Sequence, residues 1–162
     1  MSEDAHDYEY NKKIRVYISA GWFSPTQEAA LTFLEEFLFN DPKYEVFSPR
    51  KEMKLDGVES VDVQNMVFEG NCKAIVACDL VVSSTVDKDC GTLFEDGYAY
   101  ANGKAIVYTL FDERIKNAKF NLMLAASGIA AFTDKQEFKA FMNKLTLKNL
   151  NQNKKRWTGL FE

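Results

Sequence analysis

The sequence predicts an α/β protein, a three-layer sandwich with a central five-stranded parallel sheet between two layers of helices. Three observations predict it. β-rich apolar runs and helical stretches alternate from residue 14 into the high 140s, the pattern of a parallel sheet covered on both faces and joined by right-handed crossovers. Leu80 to Ser84 (LVVSS) opens with a continuous apolar run, as a central parallel strand should. Helix caps and breakers punctuate the connections, at Ser24-Pro25, Asp41-Pro42, Gly103 and Asp134.

Residues 1–13 are polar and charged, and are expected to form a flexible tail. Ile14 to Ala20 (IRVYISA) is the first strand, and Gly21-Trp22-Phe23 follows at its carboxyl end. Ser24 is an N-cap, with Pro25 at the first helical position and Gln27 completing a capping box. That helix runs to about Asn40 with Ala30, Leu31, Leu34 and Leu38 as its apolar stripe. Tyr44 to Ser48 is the second strand, and Pro49 to about Ser60 a polar loop. The next helix ends near Cys78 and carries Val61, Phe68, Cys72 and Ile75 at helical spacing. Leu80 to Ser84 is the third strand.

Asp87 to Lys104 then organises the chain as a loop turning into a helix. Gly91 allows a sharp turn or close approach to a ligand, and Thr92 is expected to cap the helix. Glu95 falls in or just after the first turn, at the positive end of the helix dipole. Gly97, Ala99 and Ala101 let the helix sit close to its neighbours, and Gly103 ends it. Ala105 to Leu110 is the fourth strand, residues 111–124 are irregular, and Ile129 to Phe132 is the fifth. Asp134 caps a last amphipathic helix bearing Phe138, Phe141, Met142 and Leu145. The tail closes with Trp157 to Glu162. Five strands suggest a flavodoxin-like order, whose ligands bind beyond the carboxyl ends of the strands.

At 162 residues a single domain spanning 1–162 is expected. A net charge of -4 gives no electrostatic case for binding nucleic acid or a membrane surface. No apolar run is long enough to span a membrane and no signal peptide is visible, so a cytoplasmic location is expected. Three cysteines, Cys72, Cys78 and Cys90, lack metal-ligand spacing and read as reduced thiols. The one histidine, His6, lies in the tail, which argues against Ser-His-Asp, Cys-His and His-rich metal sites. Acid–base work would fall to carboxylates, Tyr, Lys or the substrate.

Segments with such chemistry converge on the strand ends: Tyr17 to Phe23, Asp87 to Glu95, and Phe120 to Met123. Glu95 can be a nucleophile, a general acid or a solvated helix glutamate. Asp96 competes with it, because adjacent helical side chains point about 100° apart and only one should face the sheet end. Asp89 can accept hydrogen bonds from sugar hydroxyls or belong to an acidic turn with Asp87. Tyr17 can orient Glu95 or be a core aromatic. Gly21-Trp22-Phe23 can stack on a planar base or pack. Neither GxGxxG nor GxxxxGK[ST] occurs, so no standard phosphate loop is present.

In these segments the chain resembles the nucleoside 2-deoxyribosyltransferases. The carrying residues are Val16 to Phe23, Asn71 with Ala77-Cys78-Asp79, Asp89 to Ala99 (a DxGTxFExGYA-like motif) and Phe120 to Met123. The resemblance implies that Glu95 is the nucleophile, attacking C1′ of a 2′-deoxynucleoside to form a 2-deoxyribosyl ester. A second base then takes the sugar with retained configuration, in nucleoside salvage. It further implies that Asp89 binds sugar hydroxyls, that Tyr17 orients Glu95, and that Gly21, Trp22, Phe23, Asn71 and Gly91 contact substrate. Asn121 and Met123 would reach the 5′ side of the sugar in a neighbouring subunit of a dimer-based oligomer, commonly a hexamer. The partners implied are 2′-deoxynucleosides and free purine or pyrimidine bases, and no metal or organic cofactor is needed.

One residue departs from the family pattern. Asn71 stands where many members have an aspartate that protonates the leaving base, and an amide cannot deliver a proton as a carboxylic acid does. Glu69 is a substitute that points elsewhere on the helix. The segment Trp157 to Glu162 is expected to fold over the site, as family C-termini do. Two alternatives stay open: an N-glycoside hydrolase of deoxynucleosides or their 5′-monophosphates, and a non-catalytic nucleotide-sensing module. Asn121 and Met123 suit a free 5′-hydroxyl better than a phosphate.

Overall fold

A computed structural model describes residues 12–52 and 54–162. Most of the expected N-terminal tail, His6 included, lies outside the described residues. The elements run β1 (Ile14–Ala20), α1 (Pro25–Phe39), β2 (Tyr44–Phe47), α2 (Pro49–Glu52), α3 (Val61–Ala77), β3 (Leu80–Ser84), a 3₁₀ turn (Val86–Lys88) and α4 (Cys90–Ala101). They continue with β4 (Ala105–Thr109), β5 (Lys119–Phe120), α5 (Leu122–Ser127), β6 (Ala130–Phe132), α6 (Lys135–Lys144) and β7 (Leu160–Phe161).

The main sheet is parallel in the order β2-β1-β3-β4-β6, the flavodoxin-like arrangement expected. Its order reverses at β1 and β3, so the carboxyl ends of those strands frame a crevice. The two-residue period divides each strand between two cores. Ile14, Val16, Ile18, Leu80, Val82 and Val107 meet Leu31, Leu34 and Leu38 of α1 and Phe138 and Met142 of α6. Tyr17, Val81, Ile106 and Tyr108 form the other core, with Ile75 of α3, Ala99 of α4 and Ala125 of α5. Arg15 anchors the α3–β3 turn to β1, its guanidinium holding both carboxylate oxygens of Asp79.

Several expectations change. The loop after β2 begins with the short helix α2. The irregular stretch 111–124 contains β5 and the start of α5, and β5 pairs in parallel with β7 of the C-terminal tail. Helix α6 ends at Lys144, although Leu145 remains buried. On α3 only Ile75 is fully buried; Val61 and Phe68 of the expected stripe are exposed.

Candidate active site

Tyr17 and Ser19 lie two residues apart on β1, so both side chains face α4. The Tyr17 hydroxyl donates to Glu95 Oε1 at 2.8 Å and the Ser19 hydroxyl donates to Oε2 at 2.8 Å. Each carboxylate oxygen of Glu95 is thus held from behind by a strand donor. Burial pushes the Glu95 carboxyl up to about 7; the Ser19 and Tyr17 hydrogen bonds pull it down, and the charge of Asp89 adds to the rise. Burial and the facing Glu95 hold the Tyr17 phenol far above its usual value, so it stays a donor. Tyr17 is fixed in turn by stacking on Phe47, with ring centroids 5.5 Å apart. Ser19 is not among the residues expected at the site, although its place two residues beyond Tyr17 puts it on the same strand face.

The cap of α4 is Asp89 rather than Thr92. Asp89 Oδ2 accepts from the Thr92 backbone N–H at 2.8 Å and from its hydroxyl at 3.0 Å. Glu95 is therefore the sixth residue of a helix that begins at Cys90, past the first turn where the dipole acts most strongly. The strand hydroxyls supply the stabilisation the dipole was expected to give. A Cβ on Gly21 would lie 3.0 Å from Asp89 Cγ, and one on Gly91 would lie 3.2 Å from Asp89 Oδ2. Both glycines thus make room for the Asp89 carboxylate. Trp22 stacks on Phe23 at 5.3 Å, and Phe23 is 76% exposed at the mouth of the crevice. Gln27 steadies this loop, accepting from the Phe23 N–H at 2.8 Å and donating to the Val86 carbonyl at 3.2 Å.

Tyr17, Gly21, Asp89, Gly91 and Glu95 are therefore brought together, with Trp22 and Phe23 following at the strand end. Asn71 is half-buried on α3 and makes no side-chain hydrogen bond among the described residues. Its neighbour Cys72 is the α3 side chain that feels the charge of Glu95. Glu69 is exposed and lies 3.7 Å from Lys73. Asn121 caps α5 through Met123 N–H at 3.0 Å, and Met123 is 73% exposed. Neither is hydrogen-bonded to Glu95, Tyr17 or Asp89. Asp96 does not turn to water as the 100° rule suggested: it is 1% exposed and accepts from Ser83 at 2.7 Å.

A cavity of 730 Å³ lies beside Leu93, Leu110, Phe120, Asn121 and Leu124, and its lining does not include Glu95. Its acids Asp87 and Asp112 are both paired with Arg114, at 2.6 Å each. The C-terminal segment borders this cavity, with Lys88 and Glu162 joined at 2.8 Å. The three acids of the cavity, Asp87, Asp112 and Glu162, are thus all paired, whereas Lys119 of its lining forms no ion pair among the described residues. Among the described residues, no group of three or more His, Cys, Asp or Glu side chains is placed to hold a metal ion. No helix of the described residues is long and apolar enough to cross a membrane.

The sheet order and the carboxylate at its switch point place the chain among the open parallel α/β proteins that bind ligands at the strand ends. The profile of the family described as "Nucleoside 2-deoxyribosyltransferase" matches residues 16–138, and the chain belongs to that family of enzymes, which act on nucleosides and bases. The fold is similar to that of a 2-deoxyribosyltransferase from the psychrotolerant bacterium Bacillus psychrosaccharolyticus, at 24% identity and a TM-score of 0.73, covering 88% of this chain and 98% of that one. It is also similar to a conserved protein from Enterococcus faecalis V583, at 17% identity and a TM-score of 0.66, covering 80% and 96%. A CMP N-glycosidase from Clostridium botulinum matches at 21% identity and a TM-score of 0.51, covering 80% and 97%. These are likenesses of fold. Comparison with curated proteins gave no match.

Proposed function

We propose that this chain is a nucleoside 2-deoxyribosyltransferase that exchanges the base of 2′-deoxynucleosides through Glu95. Ionised Glu95 attacks C1′; the C1′–N bond breaks and its electron pair leaves with the base. The resulting 2-deoxyribosyl ester is attacked at C1′ by a second base, which restores the carboxylate and retains configuration. A 2′-deoxy sugar suits this route because no electron-withdrawing 2′-hydroxyl opposes positive charge at C1′, and a fixed carboxylate beside it stabilises that charge. Asp89 holds sugar hydroxyls, and Trp22 and Phe23 offer a face for the base. Asn71 hydrogen-bonds the base without protonating it. The observation that carries the reading is the two-handed grip of Tyr17 and Ser19 on Glu95.

The proposed enzyme works as an oligomer in which Asn121 and Met123 complete a neighbour's site. Their exposure, and the absence of any hydrogen bond from them to Glu95, support that assignment.

The test is chromatographic. The protein is incubated with thymidine or 2′-deoxyinosine and an excess of adenine or cytosine, alongside Glu95→Ala. New deoxynucleoside that disappears in the variant is the expected result. Free base and free sugar without exchange would make the chain a hydrolase, the activity named for the structurally similar CMP N-glycosidase. No turnover of nucleosides or their 5′-monophosphates would leave a binding module.

A further inference from the structure

Asp96 is a buried acid that the chemistry above does not use. It is 1% exposed, Oδ2 accepts from the Ser83 hydroxyl at 2.7 Å, and Oδ1 has no hydrogen-bond partner among the described residues. An ionised carboxylate in that position would be half unsatisfied, which is costly in a buried site. The groups facing it are Glu95 on its own helix, Ser19 on β1, Ser83 on β3 and Tyr108 on β4. Cys72 of α3 lies near enough to feel the charge of Glu95, and among the described residues no lysine or arginine acts on Asp96. Ser19 stands near both acids but has one proton, and it spends that proton on Glu95.

We propose that Asp96 is a positioning residue for Glu95: a protonated, uncharged carboxyl packed behind it, which leaves the Ser19 hydroxyl committed to the nucleophile. This rests on Glu95 being that nucleophile. Were Asp96 to ionise, its bare Oδ1 would compete for the Ser19 proton and place a second negative charge beside the first. Burial, with the charge of Glu95 adding to it, pushes Asp96 up to about 8 despite the Ser83 bond. Glu95 reaches its charged form at about 7. Both carboxyls are raised by burial, and the working state is the one in which Glu95 is ionised while Asp96 stays neutral.

Two measurements test this. The infrared difference between wild type and Asp96→Asn at neutral pH is expected to show a protonated-carboxyl band, giving way to a carboxylate band as pH rises through about 8. In parallel, the alkaline fall in kcat is expected to vanish in Asp96→Asn, so that its rate one unit above that limit exceeds the wild-type extrapolation by about tenfold, with KM little changed. A carboxylate band at neutral pH with robust base exchange overturns the proposal and leaves the transferase reading standing. So does an unchanged alkaline limb. Absence of all turnover in wild type overturns the transferase reading and this proposal with it. Should Asp96→Asn not fold, Ser83→Ala serves: it removes a bond that lowers Asp96, so both the band's titration and the alkaline limb move to higher pH. A limb that stays put or moves down overturns the proposal.

Discussion

Glu95 is held by two hydroxyls whose contributions separate by substitution. Tyr17→Phe deletes a hydrogen bond to the charged form, and that bond lowers the Glu95 pKa. Its loss raises the pKa above about 7, so the acid limb of the kcat profile moves to higher pH, with kcat at neutral pH falling by about 10- to 100-fold. A pH–rate series on the variant checks both; an acid limb that moves down would remove Tyr17 from its proposed role. The pair of acids also leaves a mark on stability. Both pKa values are raised above their unfolded values of 4.5 and 3.8, so their contribution is full below those values and is lost as pH rises through about 7 and about 8. Glu35, Asp79, Asp87 and Asp112 are lowered instead and are already ionised in that window. Stability should therefore decline from weakly acid to weakly alkaline pH, by up to about 1.4 kcal/mol per pH unit per group, and less steeply in Asp96→Asn. Urea melts across the window decide it. Glu95 and Tyr17 were legible in the sequence through their motifs. The burial of Asp96 was not: residues 100° apart share a protein environment when their helix lies across two strands, as α4 does with β1 and β3.

Helix α4 depends on Asp89, which has two duties that come apart. Asp89→Asn keeps the cap, since Asn and Asp cap about equally well, but loses the charge; Asp89→Ala loses both and costs about 1 kcal/mol of stability. In Asp89→Asn the acid limb should move to lower pH, because the Asp89 charge raises Glu95, and KM should rise if Asp89 holds the sugar. Thermal melts separate the two variants and kinetics unite them; an unchanged KM in both would take the sugar-binding role from Asp89. Caps at Ser24 and Asp134 were legible because each stands immediately before the first helical residue. Before α4 two candidates, Asp89 and Thr92, stand three apart, and the choice falls to the crossover. There Asp87 and Lys88 take left-handed φ values of 57° and 50°, closing a 3₁₀ turn that delivers the chain into the helix at Cys90. Strands β5 and β7 were illegible for a simpler reason: two residues are too few to show a period of two.

Across the whole molecule, strand order followed from alternation and the crossover rule, because each helix must bury one face on the sheet. Assembly left no such signal, since an apolar face at helical spacing looks the same whether it meets a core or another subunit. On α3, α4 and α5 the structure shows which apolar side chains are left outside the core. Val61, Met66 and Phe68 of α3, Phe94 and Tyr100 of α4, and Leu122 and Met123 of α5 are all exposed. Phe68 lies 5.7 Å from Phe94, and Phe94 stacks on Tyr98 at 6.3 Å, so these aromatics form a continuous patch on the helix layer over the Glu95 side of the sheet. Contiguous exposed apolar surface is the kind of face an interface covers. The proposed oligomer covers it and brings Met123 to a neighbour. Light scattering after size exclusion is then expected to give a multiple of the monomer mass. Phe68→Glu or Phe94→Glu would bury a charge without a partner at that interface, so either should shift the mass toward the monomer. If Asn121 and Met123 complete a neighbour's site, turnover should fall with the oligomer fraction and recover at high protein concentration. A wild-type monomer with full turnover would instead require every residue of the site to come from one chain.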